Sequence, residues 1–196
     1  MVARLAVALA LAFFVLIPPA PSTGDDKPSL AVSIVVDPLL RDRFKSQEEF
    51  EVHILNIISR ASLIFHAEVG RRLVPGAIEI GLPPDAGSSI DDKSAFAWLS
   101  EKLKRRPSRF WVFLIDRPLT SCHIPGIWSG CGMMNDPRAI VVYNSDARYV
   151  AQNLLHEIGH NCGADHSESK ESIMYLFDQG AATYGDKAGI IREKCG

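Results

Sequence analysis

The stretch HEIGHNCGADH, His156 to His166, puts three histidines, one glutamate and two glycines into eleven residues. His156 and His160 are four apart, so on a helix their side chains lie one turn apart on the same face and can reach one ion together. Gly163 lets the chain leave that helix through a left-handed conformation, which brings His166 back toward the same ion as a third ligand. A continuing helix would carry it away. Imidazole nitrogen binds zinc at about 2.0 to 2.1 Å, and three protein ligands leave a fourth position for water. Zinc lowers the pKa of such a water to about 7, and Glu157, directly after the first histidine, is suited to take its proton as general base and later pass it to a departing amine. The chemistry implied is peptide-bond hydrolysis with one catalytic Zn2+ and no covalent enzyme intermediate.

The elements that must position these residues can be read outward from the motif. A helical pattern begins near Asp146 and runs through ARYVAQNLLHEIGH to residue 162. Apolar, β-branched runs predict strands at about 29–37, 76–82, 109–116 and 139–144. Two further helices are expected. One covers about 46–69, with Ser46 as N-cap three residues before Glu49 and Gly70 as its stop, and one covers about 91–106, with acids at its start, cations at its end and Pro107 beyond it. Asp91 and Asp92 read as capping residues, since no spaced oxygen-ligand loop surrounds them. The order of strands and helices implies an α/β fold, of the α+β kind, with a twisted sheet.

HExxHxxGxxH is matched without gaps by His156, Glu157, His160, Gly163 and His166, and SIMY, Ser172 to Tyr175, follows it. Five fixed positions would match by chance on the order of one time in 10⁵ in a chain of this size. On these residues the chain resembles the metzincin zinc endopeptidases. The resemblance implies a zincin fold with a twisted mixed sheet, two long helices, a zinc cleft and a small C-terminal subdomain closed by a terminal helix. It implies a catalytic domain over 23–196, with an upper subdomain at about 28–163 and a lower one at about 164–196. Met174 would be the Met-turn residue, an apolar floor beneath the zinc ligands and not itself a ligand. Tyr175 would help wall the pocket for the side chain after the scissile bond. The cleft edge that binds substrate as an added strand falls by position near Gly126, Ile127 and Trp128, within Gly126 to Gly132. Asn161 and the cysteine ahead of the zinc helix resemble the adamalysin (reprolysin) branch, whereas Ser167 and the short run to the Met-turn resemble matrixins. The reading favours an adamalysin-like chain with some matrixin-like features. The expected partner is a protein or peptide substrate.

With 196 residues, 47% of them hydrophobic and 22% charged, the chain can fill one core, and a net charge of -2 gives no sign of a nucleic-acid footprint. Residues 1–22 carry an early cation, Arg4, an apolar run from Leu5 to Ile17, then prolines and small residues, the order of a secretory signal peptide. The run is shorter than the about 20 residues a membrane helix needs, so no stable membrane span is expected after cleavage, and the mature chain is expected to be extracellular, or periplasmic in a bacterium. In an oxidising compartment the four cysteines pair in one of three ways. The preferred pairing is Cys131 with Cys195, tying the penultimate residue to the body, and Cys122 with Cys162. No cysteine precedes Cys122, so no cysteine-switch peptide is expected, and a separate protein inhibitor or the short N-terminal tail would have to supply latency. The mature chain is expected to be a monomer. His53, His66 and His123 read as bystanders, and Lys102 to Arg106 as a solvated helix end. The alternative function is a non-proteolytic module that binds peptides or proteins on a zinc-stabilised metzincin scaffold.

Overall fold

The computed structural model describes residues 27–106, 108–122, 129–176 and 180–196. Residues 1–22, where a signal peptide is expected, His123, and Gly126, Ile127 and Trp128, where the cleft edge is expected, lie outside the described residues. The chain runs through β1 (Leu30–Val36), α1 (Pro38–Arg41), α2 (Gln47–Val69), β2 (Leu73–Ile80), β3 (Ile90–Asp91), α3 (Asp92–Arg105), β4 (Phe110–Ile115), β5 (Leu119–Thr120), β6 (Gly130–Gly132), β7 (Arg138–Val142), α4 (Ala147–Asn161), a 3-10 turn at Gly185–Lys187 and α5 (Ala188–Cys195). Five strands form one sheet in the order β2-β1-β4-β7-β6, and β3 pairs with β5 separately. The first four strands are parallel, while β6 runs antiparallel to β7, with Cys131 opposite Ile140.

The central strands β1 and β4 are apolar on both faces because both are covered, as in parallel sheets. In β4, Phe110, Val112 and Leu114 enter the core shared with α2, α4 and α5, while Trp111, Phe113 and Ile115 enter a second core beneath α3. α2 buries Phe50, Ile54, Ile57, Ile58, Ala61 and Phe65, the 3.6-residue stripe that its sequence shows. Its ends are the expected ones: the Ser46 side chain accepts from the Glu49 N–H, and Gly70 is left-handed. Asp91 likewise caps α3 by accepting from the Ser94 N–H. The fold is therefore the mixed α/β architecture expected, with a terminal helix.

β2 begins at Leu73, ahead of the expected start at 76, and Pro75-Gly76 lies inside it. β2 is an edge strand, where a residue without an N–H breaks no ladder on its outer side. No helix among the described residues is long and apolar enough to cross a membrane.

The cysteine pairing departs from the expectation. The bonds are Cys122–Cys131 and Cys162–Cys195, in place of Cys131 with Cys195 and Cys122 with Cys162. The sheet is the reason. Cys122 and Cys131 lie in the core under α3, whereas Cys162 and Cys195 lie in the core of α2, α4 and α5, so either expected bond would have to pass through the strands.

Cys162–Cys195 closes a chain segment with a sequence separation of 33 and ties α5 to the end of α4. Replacing both cysteines with alanine should lower the unfolding free energy by about 2–4 kcal/mol, measured by chemical denaturation under non-reducing conditions.

Candidate metal centre

α4 starts at Asp146, whose side chain accepts from the Arg148 N–H, and buries Val150, Ala151, Leu154, Leu155 and Ile158. That apolar stripe seats the helix against the sheet and α2, and leaves His156 and His160 together on the neighbouring face. The helix ends where the sequence says it must. Gly163 takes φ +87, its N–H donates to the His160 carbonyl at 2.8 Å, and the Ala164 N–H donates to Gly159 at 3.0 Å. His166 is thereby turned back toward the helix.

The three imidazoles converge. Ring centroids are 4.8 Å apart for His156 and His160, 4.8 Å for His160 and His166, and 5.3 Å for His156 and His166. One ring nitrogen from each lies within 4.8 Å of the others. The tautomers follow from the outer partners. His156 Nδ1 is 2.7 Å from the Ile173 carbonyl and His160 Nδ1 is 2.7 Å from the Ala164 carbonyl, so in each ring Nδ1–H is the donor. The two Nε2 atoms, 3.2 Å apart, then point lone pairs at each other. Such a pair is repulsive unless a cation lies between them, and a backbone carbonyl on the far nitrogen is the usual outer partner of a metal-binding histidine. Burial holds all three imidazoles below the ordinary range, His156 at about 3, so protons compete for these lone pairs only in acid. The donor set fits Zn2+.

Glu157 packs its carboxylate against β6. Burial pushes its carboxyl up to about 8, opposed by a hydrogen bond from the Gly132 N–H. A Cβ at position 130 or 132 would strike the Glu157 carboxylate, so these two glycines make the space that it fills.

Met174 is fully buried, with its sulfur against Gly159 of α4. Its turn is pinned twice: the Ser172 hydroxyl donates to the Tyr184 carbonyl at 2.8 Å and accepts from the Met174 N–H at 3.1 Å. The same turn supplies the Ile173 carbonyl that orients His156. The turn also holds His166, because the Ser167 N–H donates to the Met174 carbonyl at 2.9 Å. Tyr175, half-buried, forms a bridge with Ser167. His53 stands apart, 3.3 Å from the Tyr143 hydroxyl and packed on Phe44, and His66 is exposed at the end of α2.

Several positioning residues escape the motif. Asn161 donates to the Met133 and Arg138 carbonyls at 3.2 and 2.9 Å, fastening the end of α4 to the β6–β7 turn. Tyr184, buried, donates to the Leu155 carbonyl at 2.9 Å. Gly159 sits where a Cβ would collide with the Met174 sulfur. The x positions of the motif gave one usable signal, a glycine in mid-helix, which costs about 1 kcal/mol against alanine and so asks for a packing reason.

No protein-family model and no curated protein matches the sequence. Solved structures do match. The fold is similar to archaemetzincin from Methanopyrus kandleri, with a TM-score of 0.63 at 14% identity over 91% of this chain and 98% of that one. It is also similar to a chain in the structure of a chaperone-substrate complex, with a TM-score of 0.64 at 11% identity over 86% of this chain. This chain spans 34% of the length of that second protein. At such identities the likeness concerns the fold. It supports the metzincin-like fold expected from the motif and does not reach a branch.

Gly159→Ala should destabilise the chain by about 1–3 kcal/mol through overpacking against Met174. In a Met174→Ala background the same change should cost nothing or stabilise by up to about 1 kcal/mol, the helix preference for alanine. Denaturant unfolding of the four proteins in the cycle measures this. Equal costs in both backgrounds would show that the two residues do not press on each other.

Proposed function

We propose that the chain is a secreted zinc endopeptidase of the metzincin type, with His156, His160 and His166 holding one Zn2+ and Glu157 as general base. The observation that carries this reading is the pair of opposed Nε2 lone pairs, fixed by carbonyls on their far sides, with His166 alongside. When bound, zinc supplies Lewis-acid polarisation of a peptide carbonyl and makes water more acidic. Glu157 takes the proton of the attacking water and returns it to the leaving amine. Its burial-raised affinity for a proton, which a nearby cation would lower toward neutrality, suits a group that must do both. The Gly132 N–H keeps its carboxylate aimed along β6.

β6 is the last strand of the sheet, so one of its ladder edges is unpaired among the described residues. A substrate peptide would add there as a further strand, with Gly126, Ile127, Trp128 and Tyr175 lining the cleft around it. Met174 serves as the Met-turn floor. Residues from about 164 onward form the lower subdomain and those from about 28 to 163 the upper one, and Asn161 keeps the adamalysin-like reading in view. Two disulfides suit an extracellular or periplasmic chain acting as a monomer, with latency left to a separate inhibitor.

Incubating the oxidised chain with a denatured protein should give cleavage that a zinc chelator stops and added zinc restores. Glu157→Ala should keep one zinc per chain and lose about 10²–10⁴-fold in kcat/KM, whereas His160→Ala should lose the metal as well. Undiminished cleavage by Glu157→Ala would overturn the mechanism. Stoichiometric zinc without any cleavage would favour a zinc-stabilised binding scaffold.

A further inference from the structure

β6 carries a second chemistry on its other face. Gly130 and Gly132 face Glu157, so by the two-residue alternation of a strand Cys131 points away, into the core under α3. There it meets two residues placed by the small β3–β5 ladder. Asp91 pairs with Thr120 at the end of that ladder, and Asp92, the next residue, comes close to Cys122, two residues beyond Thr120. Ser121 is held at φ 69, a conformation that fixes the direction in which Cys122 leaves the strand.

The carboxylate of Asp92 and the sulfurs of Cys122 and Cys131 lie within 4.8 Å of one another, and all three residues are buried. Their surroundings, Ile90, Phe96, Leu119 and Ile140, are apolar. Among the described residues, Asp92 Oδ1 has no hydrogen-bond partner. A carboxylate oxygen sealed in an apolar core without a donor is costly, and a cation beside it would remove the cost. The hydrophobic contacts and capping bonds of α3 leave this oxygen unused.

We propose that Asp92, Cys122 and Cys131 become, on reduction of the Cys122–Cys131 bond, a second metal site for a soft divalent ion such as zinc. A thiol or phosphine reductant supplies two electrons, and the sulfur–sulfur bond breaks as each sulfur takes a proton. The ion then displaces both thiol protons and is held by two thiolates and one carboxylate. Two sulfurs select zinc, cadmium or cobalt over magnesium and calcium. The disulfide and the ion are alternative staples for the same corner, between β6 and the β3–β5 ladder.

Cobalt(II) is the probe, because only a thiolate site gives a sulfur-to-cobalt charge-transfer band and three histidines give none. The oxidised full-length chain should show no such band. After reduction with a phosphine and its removal, one cobalt per chain should bind with the band, and Asp92→Asn should weaken that binding at least tenfold. A Cys162→Ser/Cys195→Ser chain should keep the band. In the reduced wild-type chain, cobalt should slow alkylation of Cys122 and Cys131 at least tenfold and leave Cys162 and Cys195 unprotected, a measurement that needs no variant to fold. A missing band, a band indifferent to Asp92→Asn, or protection falling on Cys162 and Cys195 would each overturn the assignment.

Discussion

Two imidazole nitrogens held 3.2 Å apart with their lone pairs facing each other are the constraint from which the rest of this site follows. Neither ring can rotate away without giving up a 2.7 Å hydrogen bond to a carbonyl, Ile173 for His156 and Ala164 for His160. Those carbonyls belong to chain that lies beyond the end of α4. The helix alone therefore does not make the centre. It supplies the nitrogens, and the turns that follow fix their tautomers and directions.

β6 shows how little chain is needed to serve several purposes. Three residues, Gly-Cys-Gly, close the sheet antiparallel to β7, leave room for the Glu157 carboxylate on one face and send a sulfur to the opposite core. The alternation that gives Glu157 its space also fixes which cysteine partner Cys131 can reach. Asn161 completes the attachment by holding the β6–β7 turn to the end of α4.

What could be read from the sequence was what repeats with a known period or punctuates it. The spacing of His156 and His160, the turn at Gly163, the caps Ser46 and Asp91 and the strands β1, β4 and β7 all follow from 3.6- or two-residue periodicities and from local backbone preferences. What failed was what depends on which side of the sheet a residue lies. Pairing Cys131 with Cys195 would tie the penultimate residue to the body, yet the strands stand between them. The early start of β2 was hidden by Pro75, harmless only because β2 is an edge. Gly159, Tyr184 and the carbonyl of Ile173 act across the core, and no local pattern announces such partners.

His166 sets the heaviest demand on the part of the chain with the least regular structure. It sits exposed on a loop, and a loop residue can be a good ligand only if its backbone is held from outside the loop. Here the holding is done by neighbours on both sides. Ser167 donates its N–H to Met174 and its hydroxyl to Asp186, and Lys187 reaches back to Asp165 at 2.7 Å. The Asp165–Lys187 pair is largely solvated on the aspartate side and contributes little by itself. The strength lies beneath it, where the buried Ser172 hydroxyl donates to the Tyr184 carbonyl, the buried Tyr184 hydroxyl donates to the Leu155 carbonyl of α4, and Cys195 is bonded to Cys162 at the end of α4. The terminal helix thus helps to build the candidate metal centre although it contributes no histidine to it: it closes the loop that carries the third histidine onto the helix that carries the other two.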